Sequence, residues 1–286
     1  MSEQMTATDG RAPGYRIERT LRVGVELRRQ VTRRRTQITM GFLALLPFLL
    51  VLAFTLGDSS STEGGSFVDR ATTGGLGFTV FTLFASIGFL LVVVVALFFG
   101  DSVSSEASWS SLRYLLAIPV PRGRLLRQKS VVAGLLSLFA LVLLPAVALA
   151  VGTALYGTGD IVSPLGDTLS YGPGLVRLLG AIVYIAISLL WVAGLASLLS
   201  VATDAPLGAV GGAVMVTIVS EILDGIPALE GLRDYLPTHH AYAWTALLST
   251  DVDWSRMAWG TLSSLIYATV FGAAAWYRFS RKDITS

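Results

Sequence analysis

The chain has 286 residues, of which 53% are hydrophobic and only 14% charged, with a mean hydropathy of +0.67 and a formal net charge of +2. Soluble domains carry about 25% charged residues, so this balance points to lipid as the solvent. Cysteine and asparagine are both absent, which excludes a disulfide framework, a thiolate metal site, a catalytic thiol and an N-glycosylation sequon.

In chain order, residues 1–40 come first and hold nine arginines: Arg11, Arg16, Arg19, Arg22, Arg28, Arg29, Arg33, Arg34 and Arg35. This lead is too long and too charged for the n-region of a secretory signal peptide, so it is expected to belong to the mature protein. Within it, Tyr15 to Thr39 has a helical pattern. Ile17, Leu21, Val23, Val25, Leu27, Val31 and Ile38 fall on one broad arc, opposite Glu18, Arg19, Arg22, Glu26, Arg29 and Arg33, while Arg28 and Arg35 intrude on the apolar side. Such a helix lies in the headgroup plane with its arginines drawn to anionic lipid. A nucleic-acid arm is the competing reading, disfavoured because Tyr15 is the segment's only aromatic and a membrane span follows directly.

A bilayer core about 30 Å thick needs about 20 mainly apolar helical residues. Six runs are read as spans: about 41–56, 76–99, 130–156, 178–202, 207–223 and 257–277. The fifth contains an uncharged, Gly-rich stretch from Leu207 to Ser220 that covers only about 21 Å. The connections Asp58 to Gly75 and Gly157 to Pro173 are Gly/Ser/Thr-rich loops. Asp224 to Ser255 alternates apolar patches with Pro227, Pro237 and charges, and is expected to form short re-entrant or interfacial helices, which need protein or a water-filled cavity to cover them.

Orientation follows from basic residues in the connections. Residues 1–40, the stretch 100–130 (Arg113, Arg122, Arg124, Arg127, Lys129) and the tail (Arg278, Arg281, Lys282) hold seventeen of the 21 Lys and Arg. The other side holds Arg70, Arg177, Arg233 and Arg256. Both termini are therefore expected in the cytoplasm of a multi-pass plasma (inner) membrane protein. Its parts are a cytoplasmic segment 1–40, a membrane domain 41–279 and a tail 280–286.

Three features invite a chemical reading. "GRLLRQKS" (Gly123 to Ser130) is one residue from a phosphate-binding loop, but Gln128 stands at the second glycine and Pro119-Val120-Pro121 precedes it where a buried strand is needed. It is rejected as an ATP site. The adjacent His239 and His240 have only Glu230 and Asp234 near them as further ligands and read as polar anchors at the outer interface, among Tyr235, Tyr242, Trp244, Trp254 and Trp259. Glu221 and Asp224 bracket the end of the fifth span, where an acid is either functional or simply interfacial. No charged residue or His lies at the middle of any span, which disfavours a proton-coupled carrier and an intramembrane hydrolase.

The connection between spans two and three carries the most information. Ser104 to Ala117 reads as a helix with Glu106 in its first turn, where an acid suits the dipole. Trp109, Leu112, Leu115 and Leu116 make one apolar face, and Pro119-Val120-Pro121 ends the helix. It is either an interfacial helix lying on lipid or a rigid knob offered to a partner protein.

This stretch resembles the cytoplasmic loop of type-2 ATP-binding-cassette (ABC) transporter permeases. There a Glu is followed by small residues and Leu, then by a leucine pair and a Leu-Pro-Val-x-Arg type of turn. The matching residues are Glu106, Ser111, Leu112, Leu115, Leu116, Pro119, Val120 and Arg122, with departures at Ser108, where a second acid is common, and Ser110, where Gly is common. "FSRKD" at Phe279 to Asp283 resembles the family's terminal signature. The resemblance implies an all-α membrane protein with six transmembrane helices, an N-terminal amphipathic helix and a cytoplasmic coupling helix between spans two and three. It also implies a transporter subunit with no catalytic, metal or cofactor site of its own. ATP and Mg would sit on a separate ATPase, present twice, with a second permease chain as homo- or heterodimer partner and no nucleic acid. Trp109, Leu112 and Leu115 would pack into the ATPase, with Glu106 and Arg122 as polar contacts. Phe78, Phe81, Gly208, Gly212 and Glu221 are the candidates for lining an export path for a lipid, drug or lipopeptide. A membrane scaffold, and a channel or carrier that runs without ATP, are the alternatives.

Overall fold

The computed structural model describes residues 22–56, 71–108, 122–162, 168–249 and 252–281. Its helices, in chain order, are α1 (Val23–Val31), α2 (Arg34–Leu56), α3 (Gly75–Ile87), α4 (Leu90–Ser108), α5 (Arg122–Tyr156), α6 (Tyr171–Ser188), α7 (Leu190–Ala202), α8 (Pro206–Asp224) and α9 (Trp254–Arg281). A two-residue antiparallel pair, β1 (Ile161–Val162) with β2 (Thr168–Leu169), precedes α6, and short 3₁₀ segments Pro227–Tyr235 and Ala243–Leu248 lie between α8 and α9. Among the described residues five units are long and apolar enough to cross a bilayer: α2, α5, the joined α6–α7, α8 and α9. The α3–α4 pair passes the same test together but is bent by 56° at Gly88–Phe89. The chain is a helical, multi-pass membrane protein.

Lipid tails are as apolar as leucine, so little hydrophobic force drives helix on helix in a membrane, and close backbone approach through small residues takes its place. The α3–α5 crossing works this way. A Cβ added to Gly75 would sit 2.5 Å from the Thr153 backbone nitrogen, and one added to Gly152 would sit 2.9 Å from Gly75 Cα. The Gly75 amide also donates to the Gly157 carbonyl at 2.9 Å, and Gly157 turns the chain out of α5 with a φ of +75° that favours glycine. The α4 helix packs on α5, α7 and α8, and α7 packs on α9. Leu76, Leu83, Leu91, Leu144, Ile185 and Leu248 are fully buried between them. By contrast α2 buries little and turns Phe42, Leu45, Phe48 and Leu52 outward, as a lipid-facing helix does.

Several expectations need correcting. The helix read over Tyr15 to Thr39 is interrupted: α1 ends at Val31, and Arg34 already belongs to the long α2. The Thr32 hydroxyl donates to the Arg28 and Arg29 carbonyls, a side-chain bond that competes with helix continuation. Residues 15–21 lie outside the described residues. The second span is not straight, and α4 runs past its expected end at 99 to Ser108. Trp244, read as an interface aromatic, is fully buried where Ala243–Leu248 packs against α6, and Arg177 donates to the Leu247 and Ser249 carbonyls there. Tyr235, Trp254 and Trp259 are exposed.

Replacing Gly75 or Gly152 by Leu forces the α3–α5 crossing apart, at about 1–3 kcal/mol or more for an overpacked site. The expected result is a lowered melting temperature of the detergent-solubilised protein. An unchanged value would show that this crossing is not a packing constraint.

Candidate functional site

At one end of the bundle, where α1, the start of α2, the end of α4 and the start of α5 meet, a network of charges lies largely out of solvent. The α4 helix places Asp101 and Glu106 there, with 3% and 4% exposure, and α5 places Lys129, with 4%. The Lys129 ammonium donates to Glu106 Oε1 at 2.8 Å and stands 3.6 Å from Glu26 Oε1 of α1. From α1, Arg29 Nη2 reaches Glu106 Oε1 at 2.5 Å and Glu26 Oε1 at 2.7 Å. Asp101 receives Arg35 of α2 and lies 3.5 Å from Arg33 Nη1. Gln128 of α5 donates to the Arg22 carbonyl at 3.2 Å, fixing the entry to α1.

A charge withdrawn from water is tolerated only when opposite charges and hydrogen bonds replace its hydration. Each buried carboxylate here meets at least one cation, and Lys129 meets two acids. Burial alone would push the Glu26 carboxyl up. The Lys129 charge and the hydrogen bonds from Arg29 and Gln30 outweigh it, holding the carboxyl below its usual 4.5. On the adjoining flank, Ser200 of α7, fully buried, accepts from the Val103 and Ser104 amides at 3.0 and 3.1 Å, tying α4 to α7 at the same level.

This geometry changes the reading of three features. The face of α1 that carries Glu26 and Arg29, read as facing headgroups, is docked on the bundle, as is Arg33 in the break after it, whereas Val25 and Val31 point outward. Glu106 sits in the last turn of α4, not the first turn of a new helix, and is turned into the bundle, not out toward a partner. Gly123 to Ser130 is helical throughout, and its lysine, the residue a phosphate loop would need free, is committed to Glu106. Trp109, Ser111, Leu112, Leu115, Leu116 and Pro119 lie outside the described residues, while Arg122 begins α5.

The opposite end is polar but differently built. A Cβ on Gly88, at the α3–α4 break, would lie 2.8 Å from Tyr242 Oη and 3.2 Å from Glu221 Oε1, so both side chains cover the break. Beside them, His239 Nδ1 is 2.5 Å from Asp224 Oδ1 and its Nε2 is 3.3 Å from Asp234 Oδ1. The Ser220 and Thr238 hydroxyls pair at 2.7 Å. Burial, with help from His239 and Arg256, lowers the His240 pKa below 6.5 and favours the neutral ring. Among the described residues no cluster of three or more His, Asp or Glu has metal-holding geometry. Of the expected path residues, Phe78 is fully buried among Phe54 and Tyr156, at ring separations of 6.1 and 5.7 Å, and packs helices instead of lining an opening. Phe81 meets Phe54 at 5.2 Å, Gly208 is exposed, and Gly212 lets Leu199 approach α8 closely.

Comparison with known families gives a match over residues 45–285 to a family described as a protein of unknown function, DUF2705. The chain belongs to the DUF2705 family. No curated protein matches it. The DUF2705 match takes in Asp101, Glu106 and Lys129 and starts downstream of Glu26, Arg29 and Arg35.

The pairings missed from sequence, Asp101 with Arg35 and Glu106 with Lys129, left one signal: two acids on a helix that continues past an apolar run. Lys129→Met leaves Glu106 without its buried cation, an expected loss of about 3–5 kcal/mol. Adding Glu106→Gln to it restores much of that loss in a double-mutant cycle by denaturant unfolding, whereas additive losses would deny the coupling. Because the Glu26 pKa is depressed on folding, its contribution is present above 4.5 and is lost as the pH falls through the lower folded value. Hydrogen exchange of the α1 amides should accelerate in that acid range, and Glu26→Gln should remove the transition.

Proposed function

We propose that this chain is the membrane-spanning subunit of an ABC exporter whose ATPase is a separate protein. In this reading α2, the bent α3–α4 pair, α5, α6–α7, α8 and α9 are six spans in the plasma (inner) membrane, with both termini and the buried charge network on the cytoplasmic side. Two permease chains and two ATPases form the unit, and ATP and Mg are held by the ATPases.

The observation that carries the proposal is the mounting of residues 109–121. They lie between the ends of α4 and α5, two helices that both continue beyond their apolar stretches. The base of this segment is fixed by the Glu106–Lys129 ion pair and, through Arg29, to α1. Two long helix ends tied to each other by buried charges pass a force applied at either end into the bundle. This suits the coupling role that Trp109, Leu112 and Leu115 would play by resemblance. Glu106 then acts as the anchor beneath the contact, not as the contact itself. Gly208, Gly212, Phe81 and Glu221 remain as path residues, and walls that are uncharged apart from Glu221 fit a hydrophobic or amphipathic cargo.

Co-expression with a candidate soluble ATPase, sought in the neighbouring reading frame, tests this. A stable complex is expected, with ATPase activity stimulated by the permease and cut severalfold by Leu112→Asp at unchanged permease folding. If no ATPase co-purifies, or Leu112→Asp leaves stimulation intact, the chain is instead a scaffold or an ATP-independent channel or carrier.

A further inference from the structure

We propose that the basic end of the bundle carries a binding site for an anionic phospholipid, seated in the groove between α1, α5 and α9. The groove has a volume of about 690 Å³ and is lined by Val23 of α1, Gly123, Arg124, Arg127 and Val131 of α5, and Trp276 of α9. Among the described residues no acidic side chain lines it. The α5 lysine that could add to its charge, Lys129, is turned inward onto Glu106. Trp276 forms a fixed wall: its ring lies so close to Gly123 that a Cβ there would be 2.4 Å from Cζ2.

What singles out a lipid is the surface above the arginines. Arg127, Val131, Leu135, Leu138 and Val142 recur at spacings of four, four, three and four residues, one face of α5. All five are exposed, the four apolar ones by 42–49%. At 1.5 Å per residue this track is about 22 Å long, enough to cover a leaflet core of about 15 Å and reach the headgroup level. A guanidinium fork matches a phosphate in geometry and charge, and the apolar track continues where an acyl chain would run. A soluble acidic partner would make no use of that track.

The same combination recurs across α9. Trp276 and its neighbour Tyr277 point about 100° apart on the helix. On the Tyr277 side a second groove of about 470 Å³ is lined by Leu198, Val201, Ala274, Tyr277, Arg278 and Arg281. There the Arg281 guanidinium lies 4.3 Å over the Tyr277 ring, so one side chain of each kind is held at the interface level on both flanks.

The test uses the full chain in detergent, titrated with phosphatidylglycerol or phosphatidylcholine of equal chain length and read by native mass spectrometry and melting temperature. Phosphatidylglycerol should remain bound and raise the melting temperature at a markedly lower concentration than phosphatidylcholine. An arginine near an anionic surface is worth roughly fivefold in affinity. The double change Arg124→Gln with Arg127→Gln should therefore weaken phosphatidylglycerol by roughly five- to twenty-fold and leave phosphatidylcholine unaffected, while Arg124→Lys with Arg127→Lys should retain most of the preference. Equal binding of the two lipids, a preference untouched by the glutamines, or displacement by inorganic phosphate would overturn the site. So would coverage of this face by a second copy of the chain, which would leave no lipid preference to measure. The readout involves no ATPase, so its failure and that of the transport proposal are separate.

Discussion

The ammonium of Lys129, enclosed between the carboxylates of Glu106 and Glu26, is the contact on which the basic end of this molecule depends. An ion at that depth admits few arrangements, because each partner must lie within a few ångströms and bring its own hydrogen bonds. Meeting that demand sets the rotation of α5, holds the last turn of α4 beside it and brings α1 down onto both. Asp101 with Arg35 repeats the device one and a half turns earlier on α4, catching the start of α2. Charge thus ties together four elements, of which α4 and α5 also pack directly on each other.

How much of this was legible depends on the kind of signal. Uninterrupted apolar runs gave the crossing helices to within a few residues at the far ends of α2, α5, α7 and α8, because the demand for about twenty apolar residues is local and strong. The near ends of α2, α5 and α6 were placed seven or eight residues late, since a helix continues into more polar sequence at little cost. The charge network was illegible for the opposite reason. Glu106, Lys129 and Glu26 are far apart in the chain, and any one of them reads as a solvated charge until packing brings them together. Trp244 was misread because an aromatic in a polar, Pro-containing segment looks interfacial; only the contact of Ala243–Leu248 with α6 makes it core. The bend at Gly88 left little trace in an apolar sequence, and the two side chains that cover it, Tyr242 and Glu221, come from distant segments.

The two polar ends differ in character. At the basic end Asp101, Glu106 and Lys129 are paired and nearly sealed from solvent, which favours a single arrangement of the helices that carry them. At the opposite end Glu221, Tyr242, His239 and Asp224 are partly exposed around a broken helix and two short 3₁₀ segments. One of these segments passes through Glu230 with a φ of 41°, a conformation costly for a residue with a side chain. The end opposite the charge network is thus the more deformable of the two, built from turns where the basic end is built from continuous helices.

That contrast gives the length of α5 a mechanical meaning. At 35 residues it reaches from the charge network to the glycine crossing with α3, a single rod pinned at both extremities by contacts of different kinds. Pro145 interrupts it seven residues before Gly152, and a proline in a helix removes one rung of its hydrogen-bond ladder. A rod clamped at Lys129 and wedged at Gly152 has its one soft joint just short of the wedge. A tilt imposed at Arg122 would travel unbent through most of the thickness of the protein and be converted into flexure at Pro145, beside the glycine crossing with α3.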